Sequence, residues 1–192
     1  MTLQYHTEQM PWKNVLRKAV ELGYLSHRTT TCGLHVHISR AAFGETEQEQ
    51  ELSIARLLYF VEKFWTELLR FSRRTERQIN RWAARYGMKL SPKAVMESAK
   101  DSRAGRYTAV NLTNEDTVEI RIFRGTLKYN TLIATLQLVN AICDVAILLS
   151  DEELQELSWH DFLDRIYESE LIQYLKERNL YKNDPVMYEE DE

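Results

Sequence analysis

Apolar positions recur at helical spacing over residues 10–25, with Pro11 near the start and Gly23 at the end, and predict a short amphipathic helix. Residues 29–32 lead like a turn into Gly33, and Leu34-His35-Val36-His37-Ile38 then alternates apolar and polar with period two, as a strand does. Helical periodicity returns over residues 47–86, first apolar (Leu52, Ala55, Leu58, Tyr59, Trp65, Leu69) and then strongly basic, until Gly87 closes this helix or helix pair. Ser91-Pro92 opens another short helix, with a good N-cap and a proline in the first turn. After Gly105 the period is again two. Residues 107–112 and 117–123 flank Thr113-Asn114-Glu115-Asp116, four residues of turn chemistry, and predict a β-hairpin ended by Gly125. A long apolar helix is expected over residues 129–149, Ser158 caps a helix beginning near His160, and a last helix runs through Leu171 to Arg178. The acidic tail at 186–192 is expected to be disordered. The fold class this predicts is α+β, a few antiparallel strands covered by several helices in one domain.

Composition narrows the function classes. With 192 residues, 44% of them hydrophobic and 28% charged, the chain has an ordinary soluble composition and enough length for one sizeable core. A net charge of −4 argues against the protein as a whole being a binder of polyanions. Residues 1–10 show neither a basic nor an apolar segment of signal-peptide type, so a cytoplasmic location is expected. The most apolar run, residues 131–150, is long enough to span a membrane, but Gln137, Asn140 and Asp144 fall on one side of it and predict a core helix with a polar stripe. Cys32 and Cys143 match no CxxC spacing and are read as buried, reduced thiols.

The candidate chemistry lies on the strands. Alternation points His35 and His37 the same way, roughly 7 Å apart, and turns Leu34, Val36 and Ile38 to the core. The pair reads as a metal ligand beside a ligand contact, as two ligands of one ion, or as two surface histidines. On the second strand Val118, Ile120 and Ile122 face the core, so Glu119, Arg121 and Phe123 share the other face. A carboxylate suits a hard divalent cation, and a guanidinium fork suits phosphate or carboxylate; the bland alternative is a surface salt-bridge ladder. Tyr107, Ala109 and Asn111 share a face of the partner strand, with Arg103 and Arg106 leading into it. Arg70, Arg74, Arg77, Arg81 and Arg85, with Arg73 beside them, form a basic helical stripe whose partners are substrate phosphates, the protein's own acids or nucleic acid. Trp82 reads as a core anchor, or else as a base-stacking ring.

The runs Cys32-Gly-Leu-His-Val-His-Ile38, Arg106-Tyr-Thr-Ala-Val-Asn-Leu112, Thr117-Val-Glu-Ile-Arg-Ile-Phe-Arg-Gly125 and Phe71-Ser-Arg-Arg-Thr75, with Arg81-Trp-Ala83 downstream, resemble the amidoligase family. That family is related to the glutamine synthetase and glutamate–cysteine ligase superfamily, and the similarity spans residues 12–149. The resemblance implies a partial glutamine-synthetase-like antiparallel sheet and an ATP- and Mg²⁺-dependent carboxylate–amine ligase working through an acyl phosphate. Its substrates would be a small-molecule or peptide carboxylate and an amine. By motif position it implies His35 and Glu119 as metal ligands and His37 near the nucleotide. Arg121 would meet the transferred phosphate or the substrate carboxylate, and Arg106 the phosphates. Arg124, Asn111, Arg73 and Arg74 join the site by motif membership. One departure stands out: the family pattern begins with a Glu-x-Glu strand, and none precedes His35. The expectation is an N-terminally incomplete domain, or a strand supplied by another copy or partner. Two other classes remain: a non-catalytic nucleic-acid- or protein-binding module using an Arg70–Arg85 helix, disfavoured by the acidic net charge, and a metal-dependent hydrolase.

Overall fold

The computed structural model describes residues 2–26, 32–102 and 105–181. Arg103, the turn residues 29–31 and the tail at 186–192 lie outside the described residues. Among the described residues the fold is α+β: helices α1 (Trp12–Glu21), α2 (Glu47–Lys63), α3 (Trp65–Ser72), α4 (Glu76–Trp82), α5 (Pro92–Lys100), α6 (Tyr129–Leu148), α7 (Asp151–Glu156), α8 (Trp159–Leu163) and α9 (Ser169–Glu177) surround strands β1 (Gly33–Ser39), β2 (Val110–Asn111) and β3 (Thr117–Arg124). A short π-helical segment, Tyr5–Gln9, precedes α1.

Helix starts follow local chemistry. Thr46, Thr75, Ser150 and Ser158 each close a capping box, accepting from the backbone N–H three residues on while that residue's side chain accepts in return. The Ser150–Glu153 box starts α7, an element the hydrophobic pattern is too short to announce. The Thr75 box also breaks the expected basic helix. α3 ends at Arg73, which takes the left-handed conformation at φ 60°, and α4 is recapped at Thr75. No continuous Arg70–Arg85 helix exists, so the single basic stripe does not form. Arg85 is instead neutralised by buried Glu62 at 2.8 Å and lies over the Trp65 ring.

α6 is the central core helix, packed on α2 and α9. It is long and apolar enough to cross a membrane, yet 56% of its most apolar window is buried within the protein, Leu138 and Ile142 included. The polar stripe is accounted for: Gln137 donates to Glu170 at 3.0 Å and Asn140 to Asp144 at 2.9 Å. Burial pushes the Cys143 thiol up to about 12, with Asp144 adding to the shift, so this cysteine stays a protonated packing residue. Cys32, expected to be buried, is exposed at the entrance to β1.

The sheet is antiparallel throughout, in the order β1-β3-β2. The hairpin forms, but β2 is reduced to two residues. The arm before it is tied to α4's exit, Ala84 N–H donating to Tyr107 O and Ala109 N–H to Ala84 O. Leu34, Val36 and Ile38 are only partly buried, because β1 lies at the sheet edge. A bulge decides the rest. Leu34 pairs with Phe123 and Val36 with Ile120, so Arg121 and Ile122 together oppose the single residue His35. Cross-strand partners share a face. Phe123 therefore sits with Leu34 on the core side, packing edge-on to Phe71, rather than beside Glu119 and Arg121 as strict alternation predicts. The same parity change turns Arg124 to the polar face, opposite Gly33.

Candidate active site

The register brings His37 and Asn111 to either side of Glu119. Glu119 is only 5% exposed, and both its oxygens are occupied. Oε1 accepts from Arg121 Nη1 at 2.8 Å and from His35 Nδ1 at 2.8 Å, with His37 Nε2 at 3.6 Å. Oε2 accepts from Asn111 Nδ2 at 2.7 Å, and Asn111 Oδ1 in turn takes the Thr113 N–H and hydroxyl. His37 Nδ1 lies 3.2 Å from the Thr117 hydroxyl. Five residues expected at the site thus form one network around one carboxylate. A surface salt-bridge ladder is not what the geometry shows, because Glu119 and Arg121 are 7% and 12% exposed in their side chains.

The electrostatics are consistent with that network. Burial alone would raise the Glu119 carboxyl, but the Asn111 hydrogen bond, the Arg121 charge and the neighbouring His35 and His37 rings outweigh it and hold the group below its ordinary value. Burial, and then the Arg121 and Arg74 charges, lower the His35 imidazole against the pull of Glu119. A neutral His35 that donates from Nδ1 to Glu119 leaves Nε2 as its open lone pair. Both groups bind protons more readily unfolded than folded. Their stabilisation is therefore complete above the unfolded values of 6.5 and 4.5 and is lost as pH falls through the depressed folded values. Thermal unfolding is expected to show a lower Tm at pH 5.5 than at pH 7.5, and His35→Asn is expected to flatten that step. His6, whose imidazole is also lowered first by burial, is retained in both proteins, so the difference isolates His35. An unchanged pH profile in the variant would remove His35 from this account.

Beside the network opens a cleft of about 360 Å³ lined by His35, Arg74, Trp82, Arg106, Tyr107 and Arg121. Gly33 makes room for it: a Cβ there would fall on Arg74 Nη2 and lie 2.9 Å from His35 Nε2. Burial and the neighbouring Arg121 lower the Arg74 guanidinium, a crowding of cations that a bound anion would relieve. Arg121 Nε is buried with no partner among the described residues, a donor left for a ligand oxygen. Trp82, read from sequence as a core anchor, is half-buried at the cleft wall, 5.8 Å from the Tyr107 ring. Arg106 donates to the Tyr107 hydroxyl at 3.3 Å. Sequence reasoning missed Gly33, where a glycine opening a strand two residues before a histidine was the available signal, and it named Tyr107 on the Asn111 face and Trp82 as a core anchor or stacking ring without joining either to the site. Arg73 and Arg124 do not line this cleft. They lie in an adjoining groove.

The family model described as "Putative amidoligase enzyme" matches residues 2–143, about three quarters of the chain. The chain belongs to the amidoligase family. No curated protein matches it, and no solved structure does. Membership places the chain among ligases. The match contains every residue of the Glu119 network and of the cleft, and ends within α6.

A nucleotide with its Mg²⁺ can be tested against these residues. The cleft fits phosphate: three arginines, a neutral imidazole, an unsatisfied Arg121 donor and no acidic lining residue. The described residues form no group of three or more His, Cys, Asp or Glu side chains that could hold a metal ion, and Glu119 Oε1 is already engaged by Arg121. The donor set therefore fits a cation carried in by phosphates and met at the open His35 Nε2, not a standing all-protein site; Glu119, expected as a metal ligand, instead holds the His35 ring from its Nδ1 side.

Proposed function

We propose that this amidoligase-family chain is an ATP-dependent carboxylate–amine ligase whose phosphate site is the cleft between Arg74, Arg106 and Arg121. The observation that carries the reading is a convergence of three arginines, without an acid among them, beside a buried glutamate held by two imidazoles. In such a reaction the carboxylate takes the terminal phosphoryl group of ATP, ADP departs, and the amine displaces phosphate to form the amide. Mg²⁺ bound with ATP would neutralise phosphate charge, with the open nitrogen of His35 as the ligand offered by this chain and Glu119 holding that ring through its other nitrogen.

The chain's own contribution is position and charge. Arg74 and Arg121 present donors to phosphate oxygens, and Arg106 stands at the cleft mouth, fully exposed. Glu119 fixes the orientation of Arg121 and of both histidines, so any shift of the carboxylate shifts all three. The Trp82 and Tyr107 rings supply apolar faces for a base or an acyl chain.

Hydroxylamine tests this directly, because as a small amine it captures an activated carboxylate as the hydroxamate. Incubation with Mg-ATP, hydroxylamine and a panel of glutamate- and aspartate-containing carboxylates is expected to yield hydroxamate and ADP in equal amounts. Arg121→Lys is expected to reduce the yield at least tenfold, since a lysine cannot reproduce the fork. Absence of Mg-ATP binding by calorimetry at millimolar nucleotide would overturn the reading.

A further inference from the structure

The cleft does not end at Arg74. That residue also lines a groove of about 510 Å³ with Arg70, Arg73, Arg124 and Arg178. Arg73 and Arg124 in turn line a pocket of about 320 Å³ walled by Leu25, Leu127, Thr131 and the Gly125 backbone. The three hollows thus lie side by side, each bordered by an arginine of the next, along one basic trench. Among the described residues no acidic side chain lines any of them, in a chain with 29 acidic residues and a net charge of −4.

We propose that this trench binds an acidic peptide, with one carboxylate delivered to the cleft, a second held by the Arg70–Arg73–Arg124–Arg178 groove, and an uncharged side chain in the end pocket. The proposal rests on the ligase reading and names its carboxylate substrate class.

The groove is built, not a chance crowding of long side chains. Arg178 is anchored by two hydrogen bonds from its guanidinium to Arg70 O, at 3.1 and 3.2 Å. Arg73 occupies the left-handed position after α3, where glycine is favoured by about 1 kcal/mol over other residues. A cation is kept there at the expense of backbone conformation, as functional sites do. The β3 bulge is what turns Arg124 to this side. Arginine forks match carboxylates in bidentate fashion, and several in a row match a ligand with several carboxylates.

Peptide is favoured over nucleic acid by what lines the rest of the trench. Binding of single strands relies on open aromatic faces between the cations. The groove has none, its remaining lining being Thr66, Leu69 and Thr75. Of the rings beside the end pocket, Phe71, Phe123 and Tyr174 are closed off at 1%, 2% and 5% exposed, and Tyr24 is open, a single ring rather than a series between the cations. Beyond Arg73, Arg124 and Lys128, that pocket's walls are apolar or hydroxyl-bearing and suit a peptide side chain.

The test is fluorescence anisotropy with three labelled probes on the full chain: a glutamate-rich decapeptide, the same peptide with glutamine for glutamate, and a single-stranded oligonucleotide of equal length. The glutamate peptide is expected to bind, and the glutamine peptide at least tenfold more weakly. Arg70→Gln and Arg178→Gln are each expected to weaken the glutamate peptide about tenfold, while Mg-ATP binding is unchanged. Arg73→Gly is expected to weaken it similarly with no fall in Tm, because the glycine relieves the left-handed backbone. Equal binding of both peptides, arginine variants that bind like the parent, or tighter binding of the oligonucleotide would each overturn the proposal. Peptide binding that persists in a chain unable to bind Mg-ATP would sink the ligase reading and leave the trench standing.

Discussion

Glu119→Ala is expected to be the most damaging single change in the sheet, lowering stability by about 3–5 kcal/mol. Among the described residues Glu119 is the one counter-charge of Arg121, and with the carboxylate gone the guanidinium is left 12% exposed without it. The Asn111 amide and the His35 Nδ1–H lose their acceptor in the same step. Stranded buried donors and an uncompensated charge cost more than the pair itself contributes. For a chain of this length the loss corresponds to roughly 6–20 °C in Tm, measurable by differential scanning fluorimetry and urea unfolding. Glu119→Gln keeps the volume and one acceptor, and is expected to cost about half as much. The double variant Glu119→Ala/Arg121→Met is expected to recover part of the loss, because it removes the stranded cation. A loss under about 1 kcal/mol in Glu119→Ala would show that solvent reaches Arg121 and that the network does not anchor the strands.

Gly33→Ala is expected to separate folding from function. Gly33 lies outside the left-handed region, so alanine carries no such backbone strain there, and the atoms its Cβ would meet are side-chain atoms, chiefly the far end of Arg74. The change in stability is expected to stay within about 1 kcal/mol. The cleft, however, loses the position of Arg74 and disturbs the His35 ring beside it. One charge-assisted contact to phosphate is worth about 1.5–3 kcal/mol, so Mg-ATP affinity is expected to fall roughly 10- to 100-fold. Calorimetry with Mg-ATP beside thermal unfolding of the same sample checks both halves. Undiminished affinity would show that Arg74 reaches the cleft by another path and that Gly33 is a simple strand residue.

Most of the helices were legible because their signals are local. The Ser91-Pro92 start, the Ser158 cap and the apolar period of residues 129–149 each act within a turn or two of the chain, and the structure places α5, α8 and α6 there. The basic run was misread for the same reason. Its charges suited one stripe, but Arg73 adopts a left-handed turn and Thr75 recaps a new helix, a short-range competition that periodicity averages over.

For the site, the amino-acid order alone determined that His35 and His37 share a face of one strand and that Glu119 and Arg121 share a face of another, because a strand's period of two leaves no choice. It also carried the family resemblance, which the match over residues 2–143 supports. Which strand lies beside which, and in what register, depends on pairing across more than 80 residues of chain, as His37 with Glu119 shows. Only the tertiary structure could place both oxygens of Glu119 between Arg121, two imidazoles and Asn111. Only it could insert the bulge that buries Phe123 and turns Arg124 outward. A bulge is set by cross-strand hydrogen bonding and core packing, not by the local pattern, and here it brings Arg124 to the polar face, in the groove beside the phosphate-fitting cleft.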